Sequence, residues 1–184
     1  RDVSLTLYEG GILGISGLIG AGRTETTRAI VGVDHKDSGR LVLDGKEIKI
    51  SKPMDAIRQG VVLVPEDRKR DGLCVKLSVS SNVELPNLDI VSSKAGLVRV
   101  RQVAQMVKKA ISDLSIRLPG PQVDAASLSG GNQQKVVVGK WLARKSRVVI
   151  FDEPTRGIDV AAKVEIYHLM NQLKQQGIGV MWNK

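Results

Sequence analysis

The sequence predicts an α/β fold in which a mostly parallel sheet is covered by helices on both faces. Three observations carry this. Short apolar runs at 12–16, 61–64 and 147–151 alternate with stretches of helical period, and such alternation makes strands parallel and buries both sheet faces. A glycine-rich loop at 17–22 separates the first apolar run from a helical stretch, the strand–loop–helix order of an α/β unit. The 184 residues are 42% hydrophobic but only 3% aromatic, so one sizeable domain can bury an aliphatic core.

Taken in order, residues 3–7 alternate apolar and polar, as a half-buried strand does. Residues 12–16 end at the glycine loop and suit a buried strand. Residues 41–43 and 47–50 flank Asp44-Gly45, the signature of a hairpin. Pro53 stands in the first turn of a short helix that Gly60 closes, and 61–64 is a core strand. Val100, Val103, Ala104, Val107, Ile111 and Leu114 recur at helical spacing, predicting an amphipathic helix of about four turns. Pro119-Gly120-Pro121 breaks it. The strand at 147–151 feeds a helix with core face Ile166, Leu169, Met170 and Leu173. Gly177 stops that helix, and 178–182 begins a last strand.

Composition narrows the functional classes. No run of 18 apolar residues is present to span a bilayer, and no charged-then-apolar leader opens the sequence. The single cysteine, Cys74, excludes an internal disulfide and a cysteine-built metal site, so the reducing cytoplasm is the expected home. The net charge of +9 raises nucleic acid or an anionic membrane as partners. The basic residues are dispersed, however, with small clusters at Arg68-Lys69-Arg70 and at Arg144, Lys145 and Arg147. No aromatic residues interleave with them to stack bases. Nucleic acid is not expected.

Gly17-Leu18-Ile19-Gly20-Ala21-Gly22-Arg23-Thr24 has the spacing G-x-x-x-x-G-[K/R]-[S/T] between a strand and a helix. Its glycines let backbone N–H groups converge on an anion, and the helix behind adds the positive end of its dipole. Gly17, Gly20, Ala21, Gly22, Arg23, Thr24 and Glu25 are therefore candidate nucleotide-binding residues, with the Thr24 hydroxyl directed to Mg²⁺. The structural alternative is a glycine-rich turn with no ligand. Arg23 replaces the usual lysine point charge with a planar fork, and Glu25 sets an acid at the mouth of the loop.

Residues 148–153, Val-Val-Ile-Phe-Asp-Glu, carry two acids at the end of an apolar strand. A parallel sheet delivers both to the edge where phosphate loops lie. Asp152 is then a candidate magnesium ligand with Thr24, and Glu153 a candidate for orienting or deprotonating water. Read alone, the pair could also be an exposed loop. Leu128-Ser129-Gly130-Gly131-Asn132-Gln133-Gln134-Lys135 presents a serine and two glycines at a helix start, a second surface of N–H donors far in sequence from the first. Two such surfaces in one chain point to a nucleotide sandwiched between domains.

Across essentially its whole length the sequence resembles the ATP-binding-cassette (ABC) family. Residues 128–135 look like the family signature, 17–24 its Walker A loop and 148–154 its Walker B strand; Gly157-Ile158-Asp159 stands at its D-loop. Glu66 holds the place of the Q-loop glutamine. The segments G-A-G-R-T-E, E-D-R-K-R-D-G-L, N-Q-Q-K and D-E-P-T-R-G-I-D resemble the second cassette of the tandem ATPases of ribose, galactose and xylose importers, whose Walker A is degenerate.

The resemblance implies the phosphate-loop nucleoside-triphosphatase (RecA-like) fold, with an antiparallel β segment and an inserted helical subdomain at about 67–135. The core would then be about 1–66 and 136–184, in a single ATPase domain cut at both ends. It also implies ATP and Mg²⁺ as ligands, head-to-tail pairing with a first cassette, and permease subunits as partners. A periplasmic or extracellular sugar-binding protein is an indirect partner, and the place is the cytoplasmic face of the bacterial membrane. Leu128, Ser129, Gly130, Gly131 and Gln133 would serve the partner cassette's ATP, and Asp159 would reach across to it. The family's adenine-stacking aromatic would lie before Arg1 and its switch histidine after Lys184; His35 and His168 match neither place. Two rival readings are a regulatory cassette without turnover and a non-transport cassette acting on nucleic acid.

Overall fold

The computed structural model describes residues 3–18 and 20–184. In chain order the elements are β1 (Ile12–Ile15), α1 (Arg23–Ile30), β2 (Leu41–Leu43), β3 (Lys46–Ile48), α2 (Pro53–Arg58), β4 (Val61–Val64) and α3 (Val79–Glu84). They continue with α4 (Leu88–Val91), α5 (Val100–Asp113), α6 (Gly130–Leu142), β5 (Val148–Asp152), α7 (Val160–Gln175) and β6 (Gly179–Asn183). The chain forms two compact units. The first holds Arg1–Leu63, Ser146–Pro154 and Met170–Lys184; the second holds Val64–Lys145 and Thr155–Leu169.

The first unit rests on a sheet of order β1-β6-β5-β4. The pairs β1–β6 and β5–β6 are parallel, with Asn183 opposite both Ile15 and Asp152. That register brings three carboxyl ends abreast on one edge, where α/β folds place ligands. Val31, Ile50, Ala56, Val61, Ile150 and Met181 form the core, with Leu13, Ile15, Leu43 and Val148 packed against it. The β2–β3 hairpin closes on Asp44 and Gly45, at φ 51 and 73, the two left-handed residues of a type I′ turn. The hairpin and the mostly parallel sheet agree with the sequence reading.

Two strand expectations are overturned. Residues 3–7 form no strand: nothing among the described residues pairs with them, and Val3 and Leu5 are 55% and 41% exposed. Alternation alone does not make a strand without a hydrogen-bonding neighbour. β1 is not buried; among the described residues it is an edge strand with β6 alone beside it, and Ile12 and Gly14 are exposed. The runs flanked by strands on both sides behave as expected, for β5 and β6 are buried almost throughout.

In the second unit α3, α5 and α6 pack on one another. The inward stripe of α5 is Val103, Val107 and Ala110, continued by Leu114. Val100 and Ala104, expected on that face, are exposed: Val100 is the first residue of the helix, and Ala104 lies beside the stripe. The buried Asn82 is satisfied internally. It accepts from the Cys74 amide at 2.8 Å and donates to the carbonyls of Cys74, Leu77 and Ser78. Among the described residues no helix is long and apolar enough to cross a membrane.

Candidate functional site

In the first unit the phosphate-loop residues and the strand carboxylates come together. β1 leads into the loop, and α1 begins at Arg23 behind Gly22, whose φ is 82. Gly20 is likewise left-handed at φ 80, a conformation that glycine adopts without strain. The Thr24 hydroxyl donates to Oδ1 of Asp152 at 3.0 Å, joining the helix start to the end of β5. Asp152 is 2% exposed. Burial pushes its carboxyl above the usual range, and the hydrogen bonds from Thr24 and Asn183 pull the other way.

Glu153 follows at φ 42, left-handed for a residue with a side chain, so its direction is imposed by the surrounding structure. Its amide donates to the Asn183 carbonyl at 3.1 Å. Its carboxylate meets Arg23, with Nη2 3.7 Å from Oε1, while the buried Nη1 of Arg23 has no hydrogen-bond partner among the described residues. Glu25 is exposed at the loop mouth. Thr24 and Asp152 thus set two hard oxygen donors at one point, and Arg23 offers an unused buried donor beside them. These residues fit Mg²⁺ with a polyphosphate.

In the second unit Ser129 caps α6. Its hydroxyl accepts from the Asn132 backbone N–H at 3.4 Å and from Asn132 Nδ2 at 3.0 Å. Ser129 is exposed, Leu128 half-buried and Gly131 buried. A methyl group on Gly131 would come within 2.9 Å of the Ala162 side chain, so that glycine lets α6 and α7 approach. Gln133 faces inward: Nε2 donates to the Ala125 carbonyl at 3.0 Å, and Oε1 accepts from Arg68 at 3.1 Å. Asp159 caps α7, accepting the Ala162 N–H at 2.8 Å. Glu66 pairs with Arg156.

Two residues without a sequence-assigned role stand in these networks. Asn183 grips Asp152 through Nδ2 while its own Oδ1 is buried without a partner among the described residues; its place opposite Asp152 follows only from strand register. Arg68 reads in sequence as part of a basic cluster, and only the fold directs it at α6.

The family model described as "ABC transporter" matches residues 1–156. The chain is 51% identical over 180 residues to a "Putative ribose/galactose/methyl galactoside import ATP-binding protein 1" of Agrobacterium fabrum, covering 98% of this chain and 36% of that protein. It is 49% identical over 181 residues to the "Ribose import ATP-binding protein RbsA" of Lacticaseibacillus paracasei, with the same two coverages. It therefore spans about a third of the length of these relatives. Among solved structures, cbiO1 from Clostridium perfringens aligns with a TM-score of 0.80 at 21% identity, covering all of this chain and 70% of that one. The MJ0796 cassette in its dimeric, ADP- and Pi-bound state aligns with a TM-score of 0.80 at 20% identity, covering all of this chain and 78% of that one. These two likenesses establish the cassette fold.

Proposed function

The chain belongs to the ABC transporter family, and on that premise we propose that it is one ATP-binding cassette of a bacterial carbohydrate importer, working as half of an ATPase pair. The observation that carries the reading is the 3.0 Å bond from Thr24 to Asp152, which unites the phosphate loop with the strand carboxylate at one sheet edge. The import ATP-binding proteins that share about half of its sequence supply the substrate class.

In this reading the loop amides of 20–24 and the α1 N-terminus hold the phosphates. Thr24 and Asp152 would hold Mg²⁺, which when bound would offset phosphate charge. Glu153 is the group placed to orient water, but it faces Arg23. The Arg23 guanidinium, 3.7 Å from that carboxylate, holds it in an ion pair and away from an attacking water, so this half-site binds nucleotide and turns it over slowly. Ser129 and the first α6 amides serve the ATP of a partner cassette instead. The permease subunits hold the pair at the cytoplasmic face of the membrane, and a sugar-binding protein delivers the substrate.

A second reading, a regulatory cassette without turnover of its own, is favoured by the Arg23–Glu153 contact specifically. Hydrolysis of Mg²⁺–ATP by the chain alone, with a partner cassette, and with DNA or RNA separates the possibilities. Stimulation by the partner cassette alone is expected. No stimulation by any addition would favour the regulatory reading, and stimulation by nucleic acid alone would overturn the importer assignment.

A further inference from the structure

The segment from Glu66 to Gly72 is built as a support for one side chain. Asp67 caps a single wide helical turn, Arg68–Gly72, by accepting from the Lys69 and Arg70 amides at 3.0 and 3.1 Å. The turn sends Arg68 towards α6. Its Nε donates to Gln133 Oε1 at 3.1 Å, Nη1 to the Arg156 carbonyl at 3.3 Å and Nη2 to the Gly157 carbonyl at 3.4 Å. The same Nη2 lies 2.7 Å from where a Cβ on Gly130 would stand. Glu66 engages the Arg156 side chain, which doubles the link to that loop. Three acceptors fanned around one planar fork suit arginine and not lysine.

We propose that Arg68 is a positioning residue that clasps the 66–72 turn to the start of α6 and to the 156–159 loop. The clasp fixes Ser129, Gly130 and Asp159 relative to one another. A displacement of the 66–72 turn is then passed to both elements together. Its functional consequence rests on the proposal that Ser129 serves a partner's ATP; the clasp does not.

Amide hydrogen exchange on the chain tests it. The reporters are Ala162 and Lys163, bonded to Asp159, and Gln133, bonded to the Ser129 carbonyl. Arg68→Ala is expected to speed exchange at all three by on the order of tenfold, the loss of about one net hydrogen bond. Amides of β5 keep their protection, and Arg68→Lys, which keeps the charge but not the fork, falls between. Unchanged exchange at the reporters in both variants, or equal acceleration through β5, overturns the proposal. In the assembled ATPase pair the same variants lower kcat while nucleotide affinity at Gly20–Thr24 is kept; an equal loss of both also overturns it. If the wild-type pair hydrolyses no ATP, the importer reading fails and the exchange result still decides the clasp.

Discussion

Arg23 faces Glu153 across the phosphate loop, its Nη2 3.7 Å from the carboxylate, at side-chain exposures of 13% and 34%. The cation that opens α1 is thereby tied to the acid at the end of β5. Under the proposed function, nucleotide and Glu153 compete for the same guanidinium.

Arg23→Lys combined with Glu25→Thr is expected to strengthen binding of a Mg²⁺–ATP analogue. A lysine point charge suits the loop, and removing Glu25 lifts a repulsion worth a few-fold, roughly fivefold at an exposed position. Calorimetric titration beside the parent checks this, and an unchanged affinity places the limit elsewhere.

Glu153→Gln and Ser129→Arg are expected to separate the two composite sites. In the transporter with its membrane subunits, Ser129→Arg fills the space before the α6 N-terminus and abolishes coupled hydrolysis. Glu153→Gln costs far less than the roughly 10²–10⁴-fold typical of a proton-transfer residue, since Arg23 already offsets its charge. Steady-state turnover of both variants decides; the reverse ranking moves the active site to this half.

The strand–loop–helix order, the hairpin at Asp44-Gly45 and the acids ending β5 were legible because each is written in local spacing. The α7 face was equally plain, with Ile166, Leu169, Met170 and Leu173 all buried. What stayed hidden depends on neighbours far along the chain. The edge position of β1, the lone segment 3–7, the grip of Asn183 and the aim of Arg68 are matters of pairing, and periodicity carries no pairing. Gln133 reads as part of the signature, yet its inward turn is set by Arg68 and Ala125.

Asp152→Asn is expected to stabilise the fold while removing the dependence of nucleotide binding on Mg²⁺. Burial raises the Asp152 carboxyl, so the folded state holds its proton more tightly than the unfolded state. Stability therefore falls as pH climbs from the ordinary aspartate range through the raised value. The amide keeps an oxygen for Thr24 and Asn183. A rise in Tm of about 2–4 °C at neutral pH, by calorimetry, is expected; a fall would show that the charge itself holds the edge together.

Lys140 gives a second pH signature. Burial lowers it from 10.5 to about 8, with its Nζ on the Gly72 carbonyl. Between those values the unfolded chain binds the proton that the folded chain has released, so stability rises with pH across about 8 to 10.5. Urea midpoints across that range should climb for the parent, and Lys140→Met should flatten the Lys140 contribution. Parallel slopes would place the titration in another group.

The double grip on Asp152 bears on how the protein is made. One carboxylate oxygen gathers Thr24 from 128 positions away and Asn183 from 31. Contacts that distant close slowly and cannot form until both segments exist. A nascent chain halted before β6 can already wind α3, α5 and α6 from local contacts, yet it lacks half of the grip that seats the carboxylate. The Asp152 carboxylate is therefore seated only once β6 has been made, and the edge it shares with Thr24 forms in one step with that strand.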